Sequence, residues 1–308
     1  MTKVFIDGSA GTTGLRIHER LAGRPELELI ILPDEVRKDI DARKAALNEA
    51  DIAFLCLPDA AAIEAVGLVD NPHTAIIDTS TAHRTAAGWT YGFPELTGRE
   101  AVAASKRIAN PGCHASGFVA LVAPLVRAGL LAADAQLTCF SLTGYSGGGK
   151  NMIAAYEAAD RDPLLGAPRQ YGLGQQHKHL PEMAAVCGLD TDPVFCPIVG
   201  DFYSGMEVTV PLFASQLNGS IEDIKAAYQA TYTGPLVRFN EAADEGGFLS
   251  AGALSGRDDM ELTVTGNGDR LLLTARFDNL GKGASGAAIQ NMNILLGVEE
   301  TTGLVIGG

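Results

Sequence analysis

The sequence is poor in positive charge. Its 308 residues include 23 Lys and Arg against 37 Asp and Glu, which gives a formal net charge of −14. A nucleic-acid-binding surface needs clustered Lys and Arg to neutralise phosphates, so this composition argues against a nucleic-acid partner. Because the overall charge repels anions, an anionic ligand would have to be bound by a few local cations.

Long apolar runs and a signal peptide are also missing. The densest apolar stretch, FVALVAPLV, ends at Arg127 and is much shorter than the roughly 20 residues that span a bilayer. The first residues, MTKVFIDG, have the pattern of a strand and not that of a secretory leader. We therefore expect a protein without membrane association, located in the cytoplasm.

The cysteines lack a pairing pattern. They are odd in number, widely scattered and without C-x-x-C spacing, which argues against both a disulfide framework and a zinc ribbon. They are Cys56, Cys113, Cys139, Cys187 and Cys196. A scattered thiol is usually a small buried hydrophobic group, so a reactive role for any of them requires local evidence.

The pattern of apolar and polar residues changes near Gln136. Before it, short β-rich runs alternate with amphipathic stretches, which is typical of a parallel sheet covered by helices. After it, longer and partly alternating runs favour a mostly antiparallel sheet. We therefore predict two domains. Strands are predicted at residues 3–6, 27–32, 52–57 and 75–78, and helices at 14–22, 40–49 and in the segment ASGAAIQNMNILLG.

A glycine loop follows the first predicted strand, in the segment GSAGTTG. Glycines permit a tight turn and close approach of the backbone, and a helix start offers N–H groups to a pyrophosphate. The spacing G-x-x-G-x-x-G is not the commoner G-x-G-x-x-G, and similar turns occur in folds that bind no nucleotide. Its place at the first strand-to-helix junction favours dinucleotide binding. The candidate contacts are Gly8, Ser9, Gly11, Thr12, Thr13 and Gly14.

The segment ILPDEVRKD after the second strand bears on the choice of cofactor. An acidic residue there binds the ribose of NAD, whereas a cation accepts the additional phosphate of NADP. Asp34 and Glu35 favour NAD. Arg37 and Lys38 favour NADP, slightly more strongly, and a solvated loop without a ligand is a third interpretation.

Cys113 has a sequence context that indicates reactivity. Pro111 and Gly112 interrupt the preceding strand, and residues 115–125 form an apolar helical pattern, so Cys113 falls at or just before the first turn of a helix. The helix dipole and free N–H groups favour a thiolate and can stabilise an oxyanion. Near a nicotinamide, such a thiolate could couple acyl transfer to hydride transfer. A buried capping cysteine is the alternative.

The segment QQHKHLPEM supplies possible partners for this thiol, His177 and His179. Histidine titrates near neutral pH, so it can activate a thiol and later protonate an alkoxide. Glu182, three residues after His179, could orient it if the turn is helical. H-x-H could also be half of a metal site, but no further ligands cluster at suitable spacing, so we expect no metal.

Together, these motifs resemble those of N-acetyl-gamma-glutamyl-phosphate reductases, in the shorter form of that family. The resemblance covers nearly the whole chain. It rests on GSAGTTG, IIDTSTAHR, YGFPEL, NPGCHASG, YSGGGK, HKHLPE and FDNLGKGASGAAIQNMNILLG. The cysteine motif and the last motif are highly specific, whereas the glycine loop is not.

The resemblance implies an α/β fold with two domains. Residues 1–112 with 285–308 would form a Rossmann-like dinucleotide-binding domain to which the C-terminal helix returns. Residues 113–284 would form an α+β catalytic and oligomerisation domain with a mixed, mostly antiparallel sheet, like that of glyceraldehyde-3-phosphate and aspartate-semialdehyde dehydrogenases. The resemblance also implies NADP as cofactor and a homo-oligomer, either a dimer or a tetramer.

By position, Cys113 corresponds to the family's nucleophile, and His177 and His179 to its acid–base region. This implies NADPH-dependent reduction of N-acetyl-glutamyl 5-phosphate to N-acetylglutamate 5-semialdehyde and phosphate, through a Cys113 thioester, in arginine biosynthesis. Family members commonly carry an aromatic residue and a proline after NPGC, whereas this chain has His114 and Ala115. His114 is therefore an alternative partner for the thiol.

Further residues are candidates for binding substrate and cofactor. Arg84 can bind a carboxylate through two parallel hydrogen bonds, and Lys150 can meet a phosphate beside the amides of YSGGGK. Both would serve equally well in surface ion pairs. The resemblance places Asn279 and Lys282 near the nicotinamide. The candidate substrate-binding residues are Ser80, His83, Arg84, Lys150 and Glu182.

Two other functions remain open. An aspartate-semialdehyde dehydrogenase would apply the same chemistry to a shorter substrate, although HKHLPE and QNMN favour the glutamyl enzyme. A nonenzymatic NADP-binding protein could instead sense redox state through Cys113. Such a sensor usually has a resolving cysteine close by, and none is close to Cys113 in the sequence.

Overall fold

The computed structural model describes residues 1–307, which form two compact units. The first unit comprises Met1–Gly112 and Ala284–Leu304. The second comprises Cys113–Gly283 and the residues from Val305 onward. Within residues 1–307, no helix combines the length and the apolar character that crossing a membrane requires.

The elements are numbered in chain order. The strands are β1 Thr2–Asp7, β2 Leu27–Ile30, β3 Ile52–Leu55, β4 Ala75–Asp78, β5 Thr90–Tyr91, β6 Arg107–Ala109, β7 Thr138–Gly144, β8 Arg169–Gln170, β9 Val194–Gly200, β10 Met206–Phe213, β11 Val237–Phe239, β12 Met260–Gly266 and β13 Arg270–Phe277. The helices are α1 Thr12–Leu21, α2 Ile40–Glu49, α3 Asp59–Gly67, α4 Pro94–Thr97, α5 Arg99–Ala104, α6 Cys113–Arg127, α7 Gly149–Glu157, α8 Leu180–Cys187, α9 Ile221–Thr231 and α10 Gly286–Leu296.

The first unit is built on a parallel sheet with the strand order β2-β1-β3-β4-β6-β5. Both faces are covered. Val4 and Ile6 pack on one face with apolar residues of α1 and α10, whereas Phe5 packs on the other with residues of α2 and α3. After β1, the next strand in the chain, β2, lies on one side of β1, and the strand after that, β3, lies on the other side. Such a reversal opens a crevice at the carboxyl ends of the two strands.

The strands around this crevice are shorter than the apolar runs predict. β2 ends at Ile30 and β3 at Leu55, although the apolar patterns continue to residues 32 and 57. β3 ends opposite Asp7, the last residue of β1, whereas β2 stops pairing with β1 at Phe5, two residues before β1 ends. Beyond those positions the chain has no strand partner in β1 and turns away to line the crevice.

The second unit contains a mixed sheet with the order β11-β12-β13-β10-β7-β9-β8. β11 runs parallel to β12 and β7 runs parallel to β9, while the other neighbouring pairs are antiparallel. α6 packs on β10 and β13, and α8 and α9 pack on α6. Gly117 permits α6 to lie close to β10, because a Cβ at Gly117 would lie 2.5 Å from Val208 Cγ2. The two sheets together confirm the predicted fold class.

Proline interrupts the hydrogen bonding of α6, and a tyrosine compensates. Pro124 lacks an N–H group, so the carbonyl of Ala120 loses its ordinary partner within the helix. The hydroxyl of Tyr232 donates to that carbonyl at 2.6 Å. A buried carbonyl without a partner would cost free energy of folding, so this contact stabilises the helix that begins at Cys113.

Candidate active site

Cys113 is the first residue of α6. Its thiol is half-buried and does not form a disulfide. The N–H groups of a first helical turn have no partners inside the helix, so they can stabilise a thiolate or an oxyanion next to it. The backbone of Gly283 lies against Cys113, since a Cβ at Gly283 would be 3.1 Å from that of Cys113.

Three histidines of the second unit form a cluster, and one of them, His114, directly follows Cys113 in the sequence. The ring centroid of His114 lies 5.7 Å from that of His177 and 5.6 Å from that of His179. The rings of His177 and His179 are 4.7 Å apart. The fold thus brings together all the histidines that the sequence offers as partners for the thiol.

His114 is a buried, neutral histidine. Its Nδ1 lies 2.7 Å from the Ser141 hydroxyl, and its Nε2 lies 2.6 Å from the Tyr171 hydroxyl. Burial, reinforced by neighbouring His177, lowers the pKa of His114 to about 3. Both ring nitrogens therefore have hydroxyl partners other than the Cys113 sulfur.

Tyr171 is a residue of this cluster that sequence reasoning missed. It follows β8 and comes six residues before His177, within a segment rich in Gly and Pro. Burial, and to a smaller extent the neighbouring Cys113, raises the pKa of its phenol. An aromatic residue in a glycine-rich segment just before the histidine pair was the available signal.

Glu182 lies in the helical turn that the prediction required. His179 is the N-cap of α8, and Glu182 belongs to the first turn of that helix. Both residues are buried, with 5% and 2% of their surface exposed respectively. A carboxylate in the first turn also suits the positive end of the helix dipole.

The turn after β13 is held by two buried side chains. The Asp278 carboxylate accepts hydrogen bonds from the N–H groups of Leu280 and Gly281. Asn279 accepts from the N–H of Gly205 and donates to Ser146 Oγ at 3.0 Å. Asn279 therefore ties this turn to the YSGGGK turn. Lys282 is buried as well, whereas Lys150 is exposed in the first turn of α7.

The glycine loop lies at the crevice of the first unit. Gly8 has a φ of +86°, and a Cβ there would lie 2.3 Å from the Cys56 carbonyl oxygen. A Cβ at Gly14 would lie 2.5 Å from the Gly8 carbonyl oxygen. Glycine is therefore needed at both positions. Gly11 is the N-cap of α1 and has no side chain to occupy the N–H groups of the first turn.

A cavity of about 600 Å³ adjoins this loop. Gly8, Ser9, Gly11, Arg37 and Lys38 are among its lining residues. The first turn of α1 contains Thr12, Thr13 and Gly14. The Oγ1 atom of Thr12 is buried and has no hydrogen-bond partner among residues 1–307.

Charged groups of both signs surround this cavity. Arg37 Nη1 lies 3.4 Å from Asp34 Oδ1 at an exposed position. The sequence did not single out Arg43, whose buried guanidinium also lines the cavity and donates to the Asp7 carboxylate at 2.9 Å. Burial raises the pKa of Asp7, and the Arg43 guanidinium opposes that effect. Arg43 lies within an otherwise ordinary charged helix, so no local signal distinguished it.

The motif IIDTSTAHR forms a compact group at the carboxyl end of β4. The buried Asp78 carboxylate accepts from Ser80 Oγ at 2.8 Å and lies 2.6 Å from His83 Nδ1. The imidazole of His83 stacks on Trp89 with a centroid distance of 4.0 Å. Arg84 donates to the backbone carbonyls of Asn110 and Thr79. Asp78 and Trp89 were missed by sequence reasoning.

Comparison with known proteins gives the chain a family. Residues 3–105 match the model of a semialdehyde dehydrogenase NAD binding domain, and residues 113–279 match that of a semialdehyde dehydrogenase dimerisation domain. The aspartate semialdehyde dehydrogenase II of Vibrio cholerae, solved with ASA, has a TM-score of 0.72 and 16% identity over 96% of this chain and 98% of that one. The enzyme from Francisella tularensis gives 0.71 at 14% identity, covering 96% and 100%. These solved structures bear on the fold alone.

Sequence relatives are much more similar. N-acetyl-gamma-glutamyl-phosphate reductase 2 of Pseudomonas putida is 45% identical over 97% of this chain and 98% of the relative. N-acetyl-gamma-glutamyl-phosphate reductase of Brucella suis is 47% identical over 96% of this chain and 99% of the relative. The resemblance of the sequence motifs is thereby confirmed. The chain belongs to the semialdehyde dehydrogenase family and, within it, to the N-acetyl-gamma-glutamyl-phosphate reductases.

Proposed function

We propose that the protein catalyses the NADPH-dependent reduction of N-acetyl-glutamyl 5-phosphate to N-acetylglutamate 5-semialdehyde and phosphate, a step of arginine biosynthesis. The observation that carries the proposal is the position of Cys113 at the start of α6, in the unit that also holds His177 and His179. The choice of substrate follows the names of the full-length relatives. None of the five cysteines, all of which lie within residues 1–307, forms a disulfide, and this supports a cytoplasmic location.

The Cys113 thiolate is the nucleophile in this proposal. Its sulfur attacks the carbonyl carbon of the acyl phosphate, the bond from that carbon to the phosphate oxygen breaks, and a thioester remains on Cys113. The N–H groups at the start of α6 stabilise the oxyanion of this step. Bound NADPH supplies the hydride that reduces the thioester carbonyl.

His179 moves the proton. During the reduction, it donates a proton to the alkoxide that hydride addition leaves, and it takes that proton back from the hydroxyl of the hemithioacetal while the bond from carbon to sulfur breaks. The aldehyde leaves and the Cys113 thiolate is restored. His177 stabilises the substrate's charge beside it, and Glu182, in the turn after His179, orients the acid–base group.

The residues at the crevice of the first unit fit a dinucleotide. A helix start capped by glycine, with an unpartnered buried hydroxyl on Thr12, suits the oxygens of a pyrophosphate. Arg37 and Lys38, which line the same cavity, are the proposed contacts of the NADP 2′-phosphate. Gly8, Ser9, Gly11, Thr13 and Gly14 complete the proposed cofactor contacts, with Asn279 placed towards the nicotinamide.

The substrate-binding residues remain proposals. Ser80 and His83 share the buried Asp78 carboxylate, which holds both side chains in fixed orientations. Arg84 is anchored to backbone carbonyls, and its positive charge suits a carboxylate or phosphate of the substrate. Lys150 is exposed and can reach towards an anion.

A homo-oligomer is proposed through the second unit. Its match to a dimerisation domain supports self-association. Phe140 and Leu272 are each 45% exposed, and Val194 is 55% exposed. They lie on the face of the sheet opposite to Val208, which packs towards α6. An exposed apolar face of this kind favours a second copy as its partner.

The function is tested by running the reaction backwards. The protein is supplied with N-acetylglutamate 5-semialdehyde, phosphate and NADP. It should then produce reduced cofactor, which is measured by its absorbance. Cys113→Ser should lower the rate about a thousandfold or more, because oxygen is a far weaker nucleophile than a thiolate. Cys196→Ser, at another half-buried thiol of the same unit, is the matched control and should retain activity.

The competing functions are tested in the same assay. Aspartate semialdehyde should react poorly, and a preference for it would favour the aspartate-semialdehyde dehydrogenase alternative. No reduced cofactor with either aldehyde would contradict the proposed enzyme and favour a redox sensor. Full activity in Cys113→Ser would contradict the thioester mechanism.

A further inference from the structure

A hydrogen-bonded chain runs beside the proposed nucleophile. Ser141 of β7, His114 of α6 and Tyr171 after β8 are linked by contacts of 2.7 and 2.6 Å at the two nitrogens of His114. We refer to these residues as the Ser141–His114–Tyr171 chain. Ser141 lies 27 residues after His114 in the sequence, and Tyr171 lies 57 residues after it. Their convergence is therefore a product of the fold.

The surroundings keep His114 neutral. Only 2% of its surface is exposed, and the titratable groups whose rings contact it are Tyr171, His177 and His179. The ring of Phe195 packs against it as well. A neutral imidazole has one N–H donor and one acceptor nitrogen. One of its two hydroxyl partners must therefore donate and the other must accept.

This constraint leaves Tyr171 two roles, since it either donates to Nε2 or accepts from an Nε2–H group. When Ser141 donates to Nδ1, the Nε2–H group donates to the Tyr171 oxygen. The phenol proton is then available for a third group. Burial, and to a smaller extent the neighbouring Cys113 sulfur, raises the pKa of Tyr171, so the phenol keeps its proton next to a thiolate. A protonated phenol beside a thiolate is a hydrogen-bond donor.

We infer that Tyr171 donates a hydrogen bond to the Cys113 thiolate and that His114, held by Ser141, is the positioning residue that aims this hydroxyl. In this role Tyr171 is a further catalytic residue, because the inferred hydrogen bond brings it into contact with the reacting sulfur. The inference rests on the proposed role of Cys113 as nucleophile. A hydrogen bond to the charged form of a thiol lowers its pKa, so the chain increases the thiolate fraction at neutral pH.

The test measures the thiol directly. The rate at which iodoacetamide alkylates Cys113 is followed against pH, with the modified peptide identified by mass spectrometry. Tyr171→Phe should raise the pKa of Cys113 by about one unit and slow alkylation at neutral pH about tenfold. Tyr145→Phe is the matched control, because that hydroxyl bonds to Glu157 at an exposed position, and it should change neither quantity.

The positioning role has its own variants. His114→Leu fills the space without hydrogen bonds and should reproduce the effect of Tyr171→Phe. His114→Gln keeps an amide within reach of Tyr171 and should recover part of the lost rate. Ser141→Ala should shift the pKa in the same direction by a smaller amount. If His114→Leu does not fold, Tyr171→Phe and Ser141→Ala carry the test.

The outcomes separate this inference from the proposed function. A folded Tyr171→Phe variant with an unchanged Cys113 pKa overturns the inference, whatever the reductase activity. A shifted pKa in an enzyme without activity towards N-acetylglutamate 5-semialdehyde supports the inference and contradicts the function. In an active enzyme, Tyr171→Phe should lower kcat at neutral pH and leave KM nearly unchanged, because the thiolate fraction falls while substrate contacts remain.

Discussion

At the scale of the residue, burial decides the chemistry of His114. An exposed histidine titrates near neutral pH and can act as a base. His114 has both nitrogens engaged by hydroxyls and is buried among aromatic rings, so it stays neutral over the physiological range. This leaves His177 and His179 as the candidates for proton transfer. The identity of a residue in a motif is therefore insufficient to give its role.

The lowered pKa of His114 predicts how stability depends on pH. The folded protein holds His114 at a pKa of about 3, below the 6.5 of an ordinary histidine, so it binds fewer protons than the unfolded chain between those pH values. This contribution to stability is present above pH 6.5 and is lost as the pH falls towards 3. Between these pH values, this contribution lowers the free energy of unfolding by up to about 1.4 kcal/mol for each unit that the pH falls.

Urea unfolding of the wild type and of His114→Gln at pH 7 and pH 5 measures this effect. The free energy of unfolding should fall less between the two pH values in His114→Gln, because that variant has no imidazole to protonate. His73→Gln, at an exposed position, serves as the control. Equal decreases in the wild type and in His114→Gln would show that the imidazole does not resist protonation in the folded state.

At the scale of the element, the junction between β1 and α1 is specified by steric contacts. Gly8 takes a positive φ directly against the Cys56 carbonyl at the end of β3. The switch in strand order around β1 brings those two segments together. Gly11, the N-cap of α1, lines the cavity at this crevice. The turn therefore also forms part of the proposed cofactor site.

We expect Gly8→Ala to abolish NADP binding. The added Cβ would lie 2.3 Å from a backbone oxygen, so the loop must shift, and the strained φ adds roughly 1–3 kcal/mol. Calorimetric titration with NADP measures the affinity. Gly88→Ala is a matched control, since its φ is +81° but nothing lies within 4 Å of the added atom. Comparable loss of binding in both variants would attribute the effect to backbone strain alone.

At the scale of the whole molecule, the two sheets expose different surfaces. Helices cover both faces of the parallel sheet of the first unit. In the mixed sheet, α6 covers one face, while Phe140, Val194 and Leu272 remain exposed on the other. The surface of a chain with net charge −14 is mostly unsuited to self-association. This apolar face is therefore the proposed location of the contact between copies.

Leu272→Glu should shift the protein towards the monomer. A carboxylate buried in an apolar contact loses its hydration without gaining a partner, which disfavours association. Light scattering after size-exclusion chromatography gives the molar mass, which should fall to that of one chain. Leu164→Glu is the control, because Leu164 is 68% exposed on a turn outside the sheet. An unchanged mass in Leu272→Glu would place the contact elsewhere.

Much of the fold could be predicted from local signals. The alternation of β-rich and amphipathic runs, the glycine loop and the break at Pro111 and Gly112 all depend on neighbours in the chain. They correctly indicated the parallel sheet and a helix starting at Cys113. The ends of β2 and β3 were less predictable, because they depend on where each strand stops pairing with β1, a segment distant in the chain.

By itself, then, the sequence determined the fold class and, through the resemblance of its motifs, the family, because propensity, periodicity and motifs are properties of contiguous residues. Only the tertiary structure decided that His114 is neutral and bonded to Ser141 and Tyr171, and that Arg43 is buried against Asp7. Protonation and hydrogen bonding depend on burial and on partners distant in the chain, which packing alone brings together.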